Sequence, residues 1–555
     1  ITIKSLMDQL LKILVDTPPE LRLQILQAAA PVLQEQEKTK QEEAKVKQLD
    51  REIEKRRIEA QIEAGKQLRI CGDHVTMSSE HLASMLDGRN YYSTFVAINL
   101  REFNIQHLLK NNNNVNDDMV KIFENYFDRS KVEDDATESV IQNAIDYLLK
   151  KLFVTFDDFT SLKYLNTSRF NYLNSNTYNK LDMKNPDVPN GKAPDCTFIY
   201  KNINIRIKDG DNCLQDFVVC LGELKRPEEC INEDKYVGQL CYYLDSVLQV
   251  QNRTKVYGFI TNLREIRFYY ALKDNTKNSP VMTFYRSETL QIFNKPSTST
   301  PPAKKKKKLN QQSKQSDLNK NTIETFIKFL MMDFSFYEYK RLNIKPNDYL
   351  YQDEYRIKQR LGSGATSMAY LLVNKDYHES DNHYIFHVIK ISRTHDNEKH
   401  FKNEIEIYKQ LKTIDSNNFN KFFSNIIASS PESKFIIFEN FLTSLQPITI
   451  MKAQQIIDII QYLYKLNILH RDVRPDNLMY DKRNNHVKLI DFGFARLFET
   501  NENKIELPIA GTTLFGSIEF LEKYLQILEL NQILQTYEYD RYFDLKCAIN
   551  TIMYF

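Results

Sequence analysis

The segment His470-Arg471-Asp472-Val473-Arg474-Pro475-Asp476-Asn477, with Asp491-Phe492-Gly493 nineteen residues after Asp472, restricts this chain more than any other stretch. Each piece follows a short apolar run, Ile468-Leu469 for the first and Val487, Leu489 and Ile490 for the second, so two strand-like segments deliver them to neighbouring loops. One carboxylate that orients a hydroxyl, plus an amide and a second carboxylate that hold a divalent ion on a polyphosphate, make a minimal set for phosphoryl transfer. Asp472, Asn477 and Asp491 supply that set in order.

The other half of such a centre can be sought upstream. Gly362-Ser363-Gly364-Ala365-Thr366-Ser367 is a run of small residues whose backbone N–H groups can approach phosphate oxygens, with Ser367 where a third glycine would complete the pattern. His387-Val388-Ile389-Lys390 is an apolar strand ending in a cation, and Glu404 opens a helical run through Ile405, Tyr408 and Leu411. Downstream, Gly511-Thr512-Thr513-Leu514-Phe515-Gly516-Ser517-Ile518-Glu519 and Asp544-Leu545-Lys546 complete six ordered motifs.

Over about 350 to 555 the chain resembles the protein kinase family, in a divergent serine/threonine form. The resemblance implies a bilobal fold, ATP and Mg2+ as cofactors and a protein substrate. By it Asp472 is the base, Arg474 a phosphate contact where lysine is usual, Asn477 and Asp491 the magnesium ligands, and Lys390 with Glu404 an ion pair. Gly362 and Gly364 cover the phosphates, Glu439 and Asn440 form the adenine hinge, Glu519 closes an activation segment, and Asp544 is the buried support of the catalytic loop. Arg471 is a candidate reader of a phosphorylated Thr500, Thr512 or Thr513. The chain ends at Phe555 inside the helix begun at Asp544, so the large lobe is expected to be incomplete. The alternative for these residues is a pseudokinase that keeps them as relics of the fold.

A length of 555 residues implies several domains. With 75 basic against 73 acidic side chains there is no global field toward nucleic acid or membrane. Seven cysteines without CxxC spacing disfavour zinc or a disulfide framework and fit a reducing, intracellular compartment. No apolar run reaches the roughly 20 residues that span a bilayer. The expected architecture is multidomain α+β: a helical, charged segment over 1–70, a central α/β domain over 85–292, a disordered linker over 296–321, and the kinase-like domain over 323–555. Within the first, Val46, Leu49 and Ile53 fit a solvated amphipathic helix or a short coiled coil. The linker's Lys304-Lys305-Lys306-Lys307-Lys308 reads as a nuclear import signal or as a solvated tether.

The central domain carries a second constellation. Pro194-Asp195 precedes a strand, and 28 residues after Asp195 the apolar run Phe217 to Leu221 leads to Glu223-Leu224-Lys225, whose alternation puts Glu223 and Lys225 on one face. Two carboxylates and a lysine at strand ends can bind magnesium and steady a hydroxide or a pentavalent phosphate. With Glu138 on a preceding helix and Gln239 and Tyr243 one turn apart on the next, the stretch resembles the PD-(D/E)xK nuclease superfamily, RecB-like members in particular. That implies a restriction-endonuclease-like fold, with DNA as a second partner class and Asp195 and Glu223 as metal ligands beside Lys225. The alternative is surface charge on an ordinary sheet.

Nuclease-like domain, lysine-rich linker and divergent kinase together resemble the Crinkler-type effector proteins, which implies action in nuclei, including those of a host cell into which the protein is secreted. Three functions follow: a protein serine/threonine kinase, a magnesium-dependent nuclease with a regulatory kinase, or a non-catalytic scaffold. Substrate and oligomeric state stay open.

Overall fold

The computed structural model describes residues 88–109, 115, 117–126, 136–155, 157–173, 193–207, 213–274, 281–294, 318–377, 385–499, 503–530 and 536–555. The expected segment over 1–70, the lysine run at 304–308 and Thr500 lie outside them. Packing divides the described residues into two compact units, 88–401 with 426–441 and 402–425 with 442–555. Among these residues no helix is long and apolar enough to cross a membrane.

The first unit contains two sheets. The larger is mixed: β1 (Leu100–Glu102), β2 (Leu162–Asn166), β3 (Cys196–Tyr200), β4 (Cys220–Leu224), β5 (Lys255–Thr261), β6 (Glu265–Asp274) and β7 (Val281–Arg286) run in the order β1-β7-β6-β5-β4-β3-β2, and β8 (Leu290–Gln291) pairs with β6. Strands β3 and β4 are buried at every position, as apolar runs covered on both faces must be. Helix α1 (Asp117–Tyr126) and then α2 (Glu138–Thr155) precede β2, and α3 (Asp234–Gln251) makes the crossover that the parallel β4–β5 pair requires. Helix α3 buries Val237, Leu240, Cys241, Leu244, Val247 and Leu248 at helical spacing, and Asn252 ends it in the left-handed region at φ 50°.

Helix α4 (Lys320–Leu330) packs on the same sheet. Phe326 meets Phe259 at 5.1 Å between ring centroids, Phe329 meets Phe268 at 5.0 Å, and Phe336 stacks on Tyr257 at 4.4 Å. Residue 323, the expected start of the kinase-like domain, lies inside this helix, whose Phe326 and Phe329 pack into the core of the central sheet.

The second sheet of this unit is antiparallel, in the order β12-β13-β11-β10-β9: β9 (Tyr355–Ser363), β10 (Ser367–Asn374), β11 (His387–Ser392), β12 (Ile426–Ser429) and β13 (Phe435–Phe438). Its margin β9 is covered by the central domain. The Ile357 N–H donates to the Asn204 carbonyl at 2.8 Å, Ile205 bridges Ile357, and Asn204 Nδ2 donates to the carbonyls of Gln352 and Tyr355 at 2.8 and 3.0 Å. One apolar core runs from Tyr91 through both sheets to Ile437.

In the second unit α5 (Glu398–Ile414) continues from the first and is followed by α6 (Ser416–Phe422). Strands β14 (Thr443–Ser444), β16 (Leu478–Asp481) and β17 (His486–Leu489) form one small sheet. Two pairs complete the set: β15 (Ile468–Leu469) with β18 (Arg496–Leu497), and β19 (Lys504–Pro508) with β20 (Thr536–Asp540). Helices α7 (Ile450–Lys465), α8 (Ile518–Leu530) and α9 (Phe543–Tyr554) pack around them, and Thr449 caps α7 by accepting the Lys452 N–H.

Candidate active site

Asp472 leaves β15 in a loop held from beneath. The buried carboxylate of Asp544, in the first turn of α9, accepts the backbone N–H groups of His470 at 2.5 Å and Arg471 at 2.8 Å. Burial raises the Asp544 pKa, while the nearby His470 and its backbone N–H oppose the rise. The Asp472 carboxylate is engaged at both oxygens. Asn477 Nδ2 donates to Oδ2 at 2.8 Å and Arg474 Nε lies 3.3 Å from the same atom, while Oδ1 accepts the Thr512 N–H at 2.9 Å and its hydroxyl at 3.0 Å. Asn477 is thereby locked as a rotamer, and its carbonyl accepts the Ile490 N–H at 3.0 Å just before Asp491.

Asp491 adopts φ 70°, ψ 70°, a left-handed conformation that a non-glycine residue holds only where its surroundings enforce it. Those surroundings are visible. Phe492 is wedged among His470, Tyr408 and Phe423 at 4.6, 5.1 and 5.3 Å between centroids, and Asn403 on α5 donates to the carbonyls of Phe492, Gly493 and Ala495 at 2.9 to 3.1 Å. Glu404, next to Asn403, is fully buried.

The expected phosphate reader takes different partners. The Arg471 guanidinium donates to the carbonyls of Phe494 and Pro508 and lies over the Tyr539 ring at 4.4 Å, while Thr512 is bonded to Asp472. Glu519 is exposed in the first turn of α8, and the Ser517 side chain lowers its pKa ahead of an opposing desolvation.

In the first unit, Gly362 to Ser367 forms the tip of the β9–β10 hairpin, closed by the Gly364 N–H to the Ser367 carbonyl at 2.9 Å. Neither glycine has positive φ, and a Cβ at Gly362 would meet nothing within 4 Å. Nothing among the described residues demands glycine there, whereas a polyphosphate lying against the backbone would, so these residues fit a nucleotide. Lys390 sits buried on β11, its ammonium 5.3 Å from the Phe401 ring centroid. Past β13 the Glu439 carbonyl meets His387 Nδ1 at 2.7 Å, and Asn440 follows half-buried.

The same unit brings together the central constellation. β3 and β4 pair antiparallel with Cys196 opposite Gly222, so the next rung faces Asp195 toward Glu223, and Asp195 Oδ2 accepts the Leu224 N–H at 2.8 Å. Lys225 Nζ donates to Glu223 Oε1 at 2.7 Å and to Gln239 Oε1 at 3.4 Å, and Gln239 Nε2 donates to the Tyr243 hydroxyl at 3.0 Å. Burial, then the charge of Glu223, lifts the Asp195 pKa well above the usual carboxylate range, and Glu138 adds to the rise. Burial likewise raises Glu223 against the opposing Lys225. Desolvation works against the charge of Lys225, and Glu223 more than offsets it. Glu223 Oε2 is buried with no hydrogen-bond partner among the described residues, an orphan oxygen that fits a cation. Among the described residues no group of three or more His, Cys, Asp and Glu side chains is placed to hold a metal. What each centre offers is a carboxylate pair, or a carboxylate with an amide.

Residues 355–527 match the family model for the protein kinase domain. Similar curated proteins are kinases too. Myosin light chain kinase A of Dictyostelium discoideum is 30% identical over 26% of this chain and 51% of its own length. Calcium-dependent protein kinase 4 of Plasmodium berghei is 25% identical over 28% of this chain and 31% of its own. Serine/threonine-protein kinase 36 of Pongo abelii is 41% identical over 13% and 5%. The chain spans about half the length of the first of these and less of the others. Within the kinase domain the sequence did not disclose Thr512 as the partner of Asp472, nor Arg393, which binds the glycine-rich hairpin. Their partners lie 40 and 29 residues away, and no local pattern marks them.

Proposed function

We propose that the chain is a protein serine/threonine kinase that transfers the ATP γ-phosphate to a hydroxyl of a protein substrate. The observation that carries this reading is the Asp472 carboxylate, aimed by Asn477, Arg474 and Thr512 on a loop pinned to buried Asp544. Asp472 orients the substrate hydroxyl and takes its proton, Arg474 offers a cation to the transferred phosphoryl, and the Gly362–Ser367 hairpin and Lys390 hold the nucleotide phosphates. Asn477 and Asp491 would hold magnesium, which would supply charge neutralisation at the phosphates. Labelling of a generic protein substrate from γ-labelled ATP tests the reading: Asp472→Asn should lower kcat by about 100-fold or more while ATP still binds. Undiminished labelling by that variant rules out the base.

A second reading, favoured by the buried Asp195, Glu223 and Lys225 cluster, is a magnesium-dependent nuclease in the same chain. Asp195 and Glu223 hold the ion, and Lys225 steadies the attacking oxygen. Plasmid nicking that vanishes in Lys225→Ala and survives in Asp472→Asn supports it, and nicking indifferent to Lys225 removes it. A nuclear, effector-like role rests on the 304–308 lysine run and on the resemblance of the domain order to Crinkler-type effectors, and fluorescent tagging with and without that run tests its nuclear part.

A further inference from the structure

Asp216 lies in the central domain, four residues before β4 and well outside the segment that matches the kinase model. Its side chain is fully buried. Its carboxylate accepts from Arg341 Nε and Nη2 at 3.1 and 3.0 Å, from Arg360 Nη1 at 3.3 Å to each oxygen, and from the Tyr370 hydroxyl at 3.2 Å. Its backbone carbonyl accepts the Tyr339 hydroxyl at 2.7 Å, and the Phe217 ring lies 5.1 Å from that of Tyr370. Two of these donors carry the argument. Arg360 sits on β9 two residues before Gly362, Tyr370 sits on β10, and the two are register partners. A single carboxylate therefore clamps both strands of the hairpin directly beneath its glycine-rich tip.

The tip is also held by Arg393. Its Nε donates to the Gly364 carbonyl at 2.7 Å, its Nη2 to Ser363 Oγ at 2.5 Å, and its backbone N–H to the Thr366 carbonyl at 3.0 Å. Arg393 feels the same cluster: burial and then the charge of Arg341 lower its pKa, and the negative charge of Asp216 opposes them. Arg341, Arg360 and Arg393 thus crowd around the hairpin about one carboxylate. Without that carboxylate the part-buried guanidiniums of Arg341 and Arg360 lose their ion-pair partner and the strand pair loses its common anchor.

We propose that Asp216 is a positioning residue for nucleotide binding, a carboxylate of the central domain that sets the geometry of the kinase domain's glycine-rich hairpin. The proposal rests on the reading of that hairpin as the phosphate-binding element. Because the clamp acts on the hairpin and touches no reacting atom, its loss weakens the grip on ATP and spares the chemical step.

The test uses the full chain, as wild type and as Asp216→Asn, Asp216→Glu and Tyr370→Phe. Mg·ATP affinity is measured by calorimetry, KM for ATP and kcat by phosphoryl transfer, and folding by thermal midpoint. Asp216→Asn should raise the ATP dissociation constant and KM by about tenfold with kcat within about twofold, the size of an ordinary coupling between sites. Asp216→Glu should recover part of the loss. If the Asp216 variants do not fold, Tyr370→Phe, which removes one donor and keeps the ring, carries the same prediction in smaller measure. A folded Asp216→Asn with wild-type affinity and KM, or with kcat lowered at unchanged KM, overturns the role assigned to Asp216. A wild-type chain that binds no Mg·ATP overturns the nucleotide reading and this proposal with it.

Discussion

Gly511 stands where the backbone after β19 comes against the loop that carries Asp472. Its φ is +95°, and a Cβ there would lie 2.1 Å from the Arg471 carbonyl oxygen, itself in a residue with φ 72° next to Asp472. An alanine must strain its own backbone, at about 1–3 kcal/mol, and also push the base's loop off its seat. Gly511→Ala should lower kcat by more than about tenfold with ATP affinity unchanged, measured by steady-state transfer beside a binding titration. Asp472, Asn477 and Asp491 could be singled out in the sequence by their fixed spacing along adjoining loops, whereas Asp544 was singled out by resemblance alone. Thr512 was legible only as a phosphate acceptor, since its bond to Asp472 exists only after the chain folds back over 40 residues. Asp216 gave no signal at all, because an isolated aspartate in an apolar stretch has no pattern until its arginines arrive from 125 and 144 residues downstream.

Elements with a strong period could be read directly. The Glu-x-Lys alternation put Glu223 and Lys225 on one face of β4 and its continuation, and the two meet at 2.7 Å. Pairing between distant strands could not be read: nothing in Lys504–Pro508 says that it will lie against Thr536–Asp540. Strand β17 carries a titration that belongs to this scale. His486 at its start is buried against Phe422 of α6, with ring centroids 5.7 Å apart, and burial pulls its pKa below the ordinary 6.5, with Lys421 and Lys488 adding to the fall. Folding thus favours the neutral imidazole. The stabilisation is complete above pH 6.5 and is lost as the pH falls through the lower folded value. Thermal midpoints should drop between about pH 7.5 and about pH 5, and the drop should be shallower in His486→Leu than in wild type. Parallel pH profiles for the two proteins would refute this.

At the scale of the whole molecule, the shared core that runs from Tyr91 to Ile437 makes the central domain and the β9–β13 sheet one cooperative body. Phe259 is fully buried on β5, packs against Phe198, Phe268, Phe326 and Phe329, and presses on Gly222 beside Glu223. Phe259→Ala should cost about 3–5 kcal/mol. Its effect should reach beyond the local strand: hydrogen exchange at the Ile357 and Ile389 amides should quicken together with that of β4. Protection kept at Ile357 and Ile389 while β4 opens would show two independent folding bodies. The covered margin of β9 bears on handling as well. A fragment trimmed to start near residue 350 would expose a bare row of amides and carbonyls, inviting stacking of one copy on the next. Soluble material for crystals or assays should therefore come from genes that keep the chain from residue 88 onward, whatever part of it is of interest.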